Sequence, residues 1–279
     1  MTHCIAIHSY KGGTGKTTIA ANAAALLVQM GKKVAILDLD VYAPSLHNYF
    51  KINPKKWIND FLDNNADIYE SIIDMTHLLF PTGQEQSNSK GKLYVGFSNP
   101  SRDAIFKFEM GNGTDYWKKQ FRKLVFLREQ IITKLDTDYI IIDTSPGIRH
   151  WSINALSIAD KLILTMKMDD LDIEGTKKLL FEIYTTFVRF GAISYILLNR
   201  VSGYCIPCDM IESNLGGNQD HKKVLEELHD ATGANSLSPL PCYCDIQFSP
   251  REFLTVLNNP NHPFSLRLKN IINEMTNKA

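Results

Sequence analysis

One short segment, residues 5–24, constrains the fold more than any other part of this chain. Its sequence is IAIHSYKGGTGKTTIAANAA: an apolar strand-like run, a glycine-rich loop, and an alanine-rich helix that begins at about Lys16. Successive backbone N–H groups of such a loop point at phosphate oxygens, and the helix N-terminus adds the positive end of its dipole. Three glycines leave room for that close approach, namely Gly12, Gly13 and Gly15. The segment therefore predicts a phosphate-binding loop.

The same loop carries the side chains that a nucleotide needs. Lys16 can reach the β- and γ-phosphates, and Thr17 offers a hydroxyl to Mg²⁺. The usual pattern has glycine six residues before the lysine, where this chain has Tyr10. A chance glycine turn is the alternative, but the strand–loop–helix context favours phosphate binding.

The rest of the chain alternates short β-rich runs with helical patterns, which is typical of βαβ units. Strands are predicted at 4–8, 34–39, 93–97, 139–143, 162–166 and 195–198, and helices at 16–30, about 118–135, and 173–190. Runs such as YIIID are apolar throughout, which fits burial on both sides. We therefore predict an α/β fold with a doubly wound, mostly parallel sheet and helices on both faces.

The domain organisation follows from length and pattern. A chain of 279 residues fits one α/β domain with insertions. We expect a single domain over 1–279, with an irregular insertion at about 51–92 that contains a helical region and a mobile polar loop. Residues 106–117 also read as a loop. Residues 264–275 read as an amphipathic helix that packs on the sheet, with binding to a membrane surface as the alternative.

Charge and hydropathy limit the function classes. Lys+Arg and Asp+Glu both number 30, so the chain lacks the net positive charge that attracts nucleic acid in bulk. No apolar run reaches the roughly 18 residues of a membrane span, and the N-terminus lacks a secretory signal. We expect a cytoplasmic protein, and neither membrane nor nucleic-acid binding is indicated.

The loop sequence KGGTGKTT, opened by Lys11, resembles the deviant Walker A motif of the MinD/ParA/Mrp group of ATPases. The resemblance implies a slow, partner-stimulated ATPase with ATP and Mg²⁺ as cofactors, working as an ATP-dependent homodimer with an unknown protein partner or activator. In that group the first lysine reaches the partner subunit's nucleotide, so Lys11 and Lys16 are both expected to be catalytic. ATP-binding positions are expected throughout the loop, namely Gly12, Gly13, Thr14, Gly15, Lys16, Thr17 and Thr18.

Two carboxylates follow the second predicted strand in ILDLDVYAPSL. Ligands bind at the carboxyl ends of strands in open α/β sheets. The resemblance implies that Asp40 orients the attacking water and takes part in magnesium binding. Asp38 and Pro44 would belong to the first switch loop, although Asp38 is equally well explained as a structural or capping carboxylate.

The segment YIIIDTSPGIRH provides a second apolar strand that ends in a carboxylate. This is a Walker B arrangement, so Asp143 is expected to hold Mg²⁺ through a water, beside Thr17. Pro146 and Gly147 then form a second switch that can sense the γ-phosphate.

Two segments are expected to contact the base. The resemblance implies a hydrogen bond from Asn199, at the end of ILLNRV, to the adenine edge. The segment LPCYCD, with Pro241 and Cys242, would add backbone contacts.

Four of the five cysteines form two close pairs. Cys205 and Cys208 form a C-x2-C pair, and Cys242 and Cys244 a C-x-C pair; thiolates at such spacings can share Zn²⁺ or an iron–sulfur cluster. A C-P-x-C motif lies at a similar place in Mrp-type carriers, which implies zinc or a 4Fe–4S cluster at the dimer interface. Two reduced thiols in a turn are the alternative.

Three functions remain open at this stage: a switch ATPase that recruits a partner or surface, a metal-cofactor carrier, and a biosynthetic enzyme with the same loop. Lys11 argues against the third, because such enzymes usually lack this lysine.

Overall fold

The computed structural model describes residues 2–80, 91–111, 113–189, 191–201 and 217–277. The strands are β1 His3–His8, β2 Lys33–Leu39, β3 Ile72–Asp74, β4 Lys92–Gly96, β5 Tyr139–Thr144, β6 Lys161–Met166, β7 Ile193–Val201, β8 Asn235–Ser236 and β9 Leu240–Pro241. They form one sheet in the order β3-β4-β2-β5-β1-β6-β7-β8, and β9 pairs with β7. The pairings are parallel except for β3, which runs antiparallel to β4.

The helices of the described residues are α1 Lys16–Gln29, α2 Leu46–Phe50, α3 Ile58–Leu62, α4 Ile68–Ser71, α5 Arg102–Glu109, α6 Thr114–Leu135, α7 His150–Leu156, α8 Asp170–Leu179, α9 Thr185–Arg189, α10 Gly217–Thr232, α11 Cys244–Gln247, α12 Thr255–Asn258 and α13 Pro263–Asn277. A π-helical turn, Leu180–Tyr184, joins α8 to α9.

Helices cover both faces of the sheet, because alternate strand residues point to opposite sides. Ile5 and Ile7 of β1 belong to the core that contains α1 and α13. Cys4 and Ala6 of the same strand belong to the opposite core, with Leu124 of α6. The predicted fold class is therefore confirmed, and the six predicted strands are present with shifts of up to two residues at an end, except that β7 extends further.

The prediction of a loop at 106–117 is wrong at both ends. Helix α5 continues to Glu109, since Phe108 is buried and packs against Trp151 with ring centroids 4.9 Å apart. Helix α6 already begins at Thr114. The glycines at 111 and 113 obscured these two helix ends in the sequence.

The region after residue 50 contains more than the predicted helices. Helices α3 and α4 are followed by the edge strand β3, whose three residues are too few to show an alternating pattern. The polar loop expected here falls largely on 81–90, which lies outside the described residues.

The C-terminal helix packs on the sheet, as predicted. Leu268, Ile271 and Ile272 are each 1% exposed and belong to the core that contains Ile5 and Ile7. The apolar face of α13 is thus buried within the protein.

Candidate functional site

The glycine loop joins β1 to α1 at the carboxyl edge of the parallel strands. Gly13 and Gly15 have φ angles of 73° and 88°, which favour glycine. A Cβ at Gly15 would lie 2.4 Å from Asn199 Nδ2, so this position also requires the absence of a side chain. Lys16, the first residue of α1, is only 6% exposed. These features match the predicted loop that wraps around a phosphate group.

The open space beside this loop, here called the phosphate cavity, is bounded by residues from separate elements. Lys16 and Thr17 line it together with Asp40 and Pro146, which follow β2 and β5. Sequence-distant residues of the prediction therefore meet at one place. Thr14 does not line it; its side chain is buried and lies 2.9 Å from the Thr165 hydroxyl.

Asp143 and Thr17 are in direct contact. The Thr17 hydroxyl donates to Asp143 Oδ2 at 2.6 Å, while Asp143 Oδ1 is buried and has no hydrogen-bond partner among the described residues. Burial raises the pKa of Asp143 to about 7, against the opposing charge of Lys16 and the Thr17 bond. A hydroxyl beside an unsatisfied carboxylate oxygen is a donor set that fits a hydrated Mg²⁺.

The two carboxylates at the carboxyl end of β2 have different surroundings: Asp38 lies within the strand and Asp40 just after it. Asp38 is fully buried and accepts backbone N–H groups from Asp40, Ser45 and Leu46 at 3.0, 3.2 and 3.1 Å. It therefore holds the predicted first switch loop and the start of α2. Asp40 lines the phosphate cavity, and its one hydrogen bond among the described residues is from the Ala43 N–H, at 3.1 Å. Pro44 lies in the same loop, partly exposed.

The second switch loop is tied to its neighbours. The Gly147 N–H donates to the Ser9 carbonyl at 2.9 Å, and Gly147 has a φ angle of 79°. The buried Trp151 indole donates to the Leu39 carbonyl at 2.9 Å, directly before Asp40. Helix α7, which follows the predicted second switch loop, therefore supports the backbone that carries Asp40.

A cation–π contact joins the two switches at the surface. The Arg149 guanidinium carbon lies 4.3 Å from the centre of the Tyr42 ring. Arg149 follows Gly147 by two positions, and Tyr42 follows Asp40 by two.

Lys11 lies apart from Lys16. Its ammonium pairs with Asp169 Oδ1 at 3.2 Å, and the two side chains are 37% and 51% exposed. Asp169 also caps α8, accepting the Asp172 N–H at 2.9 Å. Lys11 is thus held outside the phosphate cavity by an exposed ion pair with its own subunit.

A second cavity, here called the base cavity, adjoins the first. Asn199, Pro241, Tyr243 and Phe264 form part of its wall. Asn199 Nδ2 donates to the Thr14 carbonyl at 2.7 Å, and its Oδ1 accepts the Arg200 N–H at 2.9 Å.

The structure places the predicted base contacts unequally. Asn199 and Pro241 line the base cavity, whereas the Cys242 N–H donates to the Val201 carbonyl at 2.8 Å. The sequence reasoning missed Arg200 and Glu252, which line both cavities. The only signal for Arg200 was its position after Asn199, and Glu252 gave none.

The predicted metal thiolates Cys205 and Cys208 lie outside the described residues. Within the described part, no group of three or more His, Cys, Asp or Glu residues is placed to hold a metal ion. Within the same part, no helix has both the length and the apolar character that crossing a membrane requires.

A family model and several known proteins match the sequence of this chain. The family model of the AAA domain, AAA_31, matches residues 2–189. An uncharacterised ATP-binding protein of Methanocaldococcus jannaschii is 31% identical over 206 residues, 72% of this chain and 66% of that protein. The sporulation initiation inhibitor protein Soj of Bacillus subtilis is 27% identical over 186 residues, 64% of each chain. The iron–sulfur cluster carrier protein of Aquifex aeolicus is 50% identical over 146 residues, 52% of this chain and 33% of that one. The chain thus spans between one third and just under two thirds of these relatives' lengths.

Two solved structures share the fold. The cell division ATPase MinD of Pyrococcus furiosus superposes with a TM-score of 0.72 at 21% identity, covering 100% of both chains. MinD of Pyrococcus horikoshii, complexed with Mg-ADP, gives 0.70 at 21% identity, covering 99% of this chain and 96% of that one.

The glycine loop, the carboxylates around its cavity and the extent of the AAA-domain match lead to one assignment. This chain belongs to the AAA_31 family, within the MinD/ParA/Mrp group of P-loop ATPases.

Proposed function

We propose that this chain is a switch ATPase that binds ATP and Mg²⁺, hydrolyses ATP slowly and works as an ATP-dependent homodimer. In the ATP state the dimer recruits a partner protein or surface in the cytoplasm, and partner-stimulated hydrolysis releases it. The whole of 1–279 acts as one P-loop ATPase domain in this proposal.

The separation of the two lysines carries the proposal. Lys16 is buried at the start of α1, where it would meet the β- and γ-phosphates of its own nucleotide. Lys11 lies outside, on Asp169, from which an exposed side chain can turn toward a second subunit. A cation delivered across a dimer would neutralise charge that develops on the transferred phosphoryl group.

The other residues of the phosphate cavity have distinct roles in this proposal. The Thr17 hydroxyl would hold Mg²⁺, and Asp143 and Asp40 would hold it through water molecules. The ion would neutralise charge at the β- and γ-phosphates. Asp40 faces the cavity with one backbone contact, so it can orient water for attack on the γ-phosphate. Asp38, Pro44, Pro146 and Gly147 form the switch loops around it.

The hydrogen bonds of Asn199 are compatible with adenine as the base. Nδ2 donates to the Thr14 carbonyl and Oδ1 accepts the Arg200 N–H, so one further N–H and one further lone pair remain. The remaining lone pair can accept from the amino group of adenine, which is the use that the resemblance to the MinD/ParA/Mrp group implies. Pro241 and Cys242 provide the backbone beside it.

The known proteins support the same reading by analogy. The similar MinD of P. horikoshii was solved with Mg-ADP, and Soj belongs to the same group. The partner of this chain is identified by neither relative.

Equilibrium binding and sedimentation of the full chain with Mg-ATP test the proposal. Lys16→Ala should abolish ATP binding, whereas Lys11→Ala should bind ATP nearly normally but form no ATP dimer and hydrolyse no ATP. Lys32→Ala is the matched control. It removes an exposed lysine just before β2, at the edge of the sheet opposite the phosphate cavity, and it should behave as wild type. Equal loss of binding in the first two variants would make Lys11 a local phosphate ligand and remove the argument for the dimer.

A second function is supported by a different observation. The iron–sulfur cluster carrier of A. aeolicus shares 50% identity over about half of this chain. In this alternative the chain carries zinc or a 4Fe–4S cluster as cargo on Cys205 and Cys208, and ATP gates the transfer. One C-x2-C pair supplies two of the roughly four thiolates that such a site needs, so the same pair of a second subunit would complete it.

Metal analysis of protein purified without oxygen separates the two functions. A shared site predicts about one cluster or zinc per two chains, lost in the Cys205→Ser/Cys208→Ser double variant. Retention in the Cys242→Ser/Cys244→Ser variant distinguishes the shared site from a four-cysteine site within one chain. Metal-free wild-type protein that still forms its ATP dimer would leave the switch ATPase alone.

A further inference from the structure

The backbone at Arg200 is unusual among the described residues. Four non-glycine residues have positive φ angles: Lys51, Asn64, Asp136 and Arg200. Lys51 and Asp136 directly follow α2 and α6, and Asn64 is the second residue after α3; a left-handed residue at these places is a common way to stop a helix. Arg200, with φ of 60°, follows no helix. An L-residue in this conformation costs free energy that the surroundings must offset, and such residues concentrate at functional sites.

A bulge between β7 and β9 imposes this conformation. Asn199 pairs with Leu240 and Val201 pairs with Pro241, so Arg200 stands as an extra residue without a partner in the ladder. Bulges re-aim side chains near active sites. The Arg200 N–H is satisfied by Asn199 Oδ1 at 2.9 Å, which fixes the peptide beside the base cavity.

The bulge directs Arg200 to the junction of the two cavities. Its side chain is half-buried and lines both the base cavity and the phosphate cavity. In the part of the chain that the structure describes, no carboxylate forms an ion pair with its guanidinium. A cation therefore faces the place where a bound nucleotide passes from base to phosphates.

A carboxylate also lies at this junction. Glu252 lines both cavities. Burial raises the pKa of the Tyr49 hydroxyl and the neighbouring Glu252 carboxylate adds to that rise, so Glu252 lies on the side of Tyr49, whose hydroxyl is 2.8 Å from the Thr18 hydroxyl. Among the described residues Glu252 forms no ion pair with Arg200. A carboxylate repels phosphate and a guanidinium attracts it, so an anion at this junction is expected beside Arg200.

We propose that Arg200 is a nucleotide ligand whose guanidinium binds the α-phosphate of ATP and ADP within its own subunit. This inference rests on the proposed function, because it assumes that the β- and γ-phosphates lie in the glycine loop and the base lies beside Asn199. Lys16 holds the terminal phosphates, whereas Arg200 bridges them to the nucleoside. Retention of ADP after hydrolysis would then depend on Arg200.

The test compares binding of Mg-ADP and of its α-thio analogues by calorimetry, using the full chain. Arg200→Gln should weaken ADP binding about tenfold or more, as expected for loss of a charged hydrogen bond, and Arg200→Lys by less. Wild type should discriminate between the two α-thio diastereomers, and Arg200→Gln should lose that discrimination. Arg251→Gln removes a nearby exposed arginine that lines neither cavity, and it should bind as wild type.

A further variant separates binding from structure. Arg200→Gly removes the guanidinium but suits the positive φ, so the nucleotide-free melting temperature should hold or rise while ADP affinity falls as in Arg200→Gln. A lower melting temperature with unchanged affinity would overturn the inference, as would ADP binding by Arg200→Gln within about twofold of the Arg251→Gln control. If wild type itself fails to bind Mg-ADP, or binds it independently of Lys16, the proposed function fails instead.

Discussion

The ion pair between Lys11 and Asp169 should oppose formation of the ATP dimer, and its contribution can be bounded. In the dimer Lys11 must leave Asp169 to reach the partner subunit's nucleotide. The two side chains are 37% and 51% exposed, and their closest atoms are 3.2 Å apart. Exposed pairs of this kind contribute about 0.2–1 kcal/mol. A homodimer contains two such pairs, so removing both should tighten the ATP dimer by about 0.4–2 kcal/mol, or at most about thirtyfold.

Asp169→Asn is the suitable perturbation. Asparagine keeps an acceptor for the Asp172 N–H and remains a good helix cap, so α8 should stay intact. The variant loses the negative charge that holds Lys11. Asp169→Ala would remove the cap as well and would confuse the two effects.

Sedimentation equilibrium with Mg-ATP, in an Asp40→Ala background that does not turn over, measures the dimer constant. The gain of Asp169→Asn should shrink as salt rises from about 0.05 to 1 M, because exposed charges are screened. It should also vanish when Lys11→Ala is added. A weaker dimer in Asp169→Asn at low salt would refute the reasoning and place Asp169 in the dimer contact itself.

Four further outcomes are expected. Asp40→Ala should bind ATP and dimerise without phosphate release, because its loss falls on kcat; unchanged turnover would point to Asp38 as the water-positioning group. Wild type should bind Mg-ATP more tightly than Mg-GTP in competition titrations, and Asn199→Ala should reduce that preference. Trp151→Phe should lower the free energy of unfolding in urea by about 1–3 kcal/mol, because the buried Leu39 carbonyl loses its indole donor. Burial, with the charge of Lys16, lowers the pKa of His8 from 6.5 to about 3, so His8 contributes stability that is lost as the pH falls below 6.5. The raised pKa of Asp143 contributes a slope of the opposite sign, so the effect of His8 is measured as the difference between wild type and His8→Gln, which should change by about 1.4 kcal/mol per pH unit below 6.5.

The sheet could be predicted because its signal is local and strong. Each central strand is an apolar run bounded by polar or glycine residues, and burial on both faces requires that pattern. Strands β3, β8 and β9 have no such pattern. Each has only two or three residues, and it is a strand because it hydrogen-bonds to a neighbouring strand. The same holds for the start of α6, where packing overrides a glycine-rich signal.

The phosphate cavity was predictable in part for the same reason. Lys16, Thr17, Asp40 and Asp143 follow strands at the carboxyl edge, and strand order alone brings such residues together. The local pattern alone did not distinguish Asp38 from Asp40, although the family resemblance favoured Asp40 for function and left Asp38 open as a structural or capping carboxylate. They are two residues apart, so strand alternation places them on the same side, yet one accepts three backbone N–H groups and the other faces the cavity.

The ion pair between Lys11 and Asp169 could not be predicted from the sequence, and it changes how Lys11 is expected to act. These residues are 158 positions apart, and nothing in either local pattern indicates contact. Without the contact, Lys11 would be a free cation that any second subunit could engage. With it, the monomer has a defined place for the lysine, but the exposed pair contributes at most about 1 kcal/mol. In the proposed homodimer two such pairs must open, so the opposing free energy is at most about 2 kcal/mol, or about thirtyfold in the dimer constant. We therefore expect the charge of the bound nucleotide to supply most of the free energy that controls dimerisation, with the two ion pairs as a smaller opposing contribution.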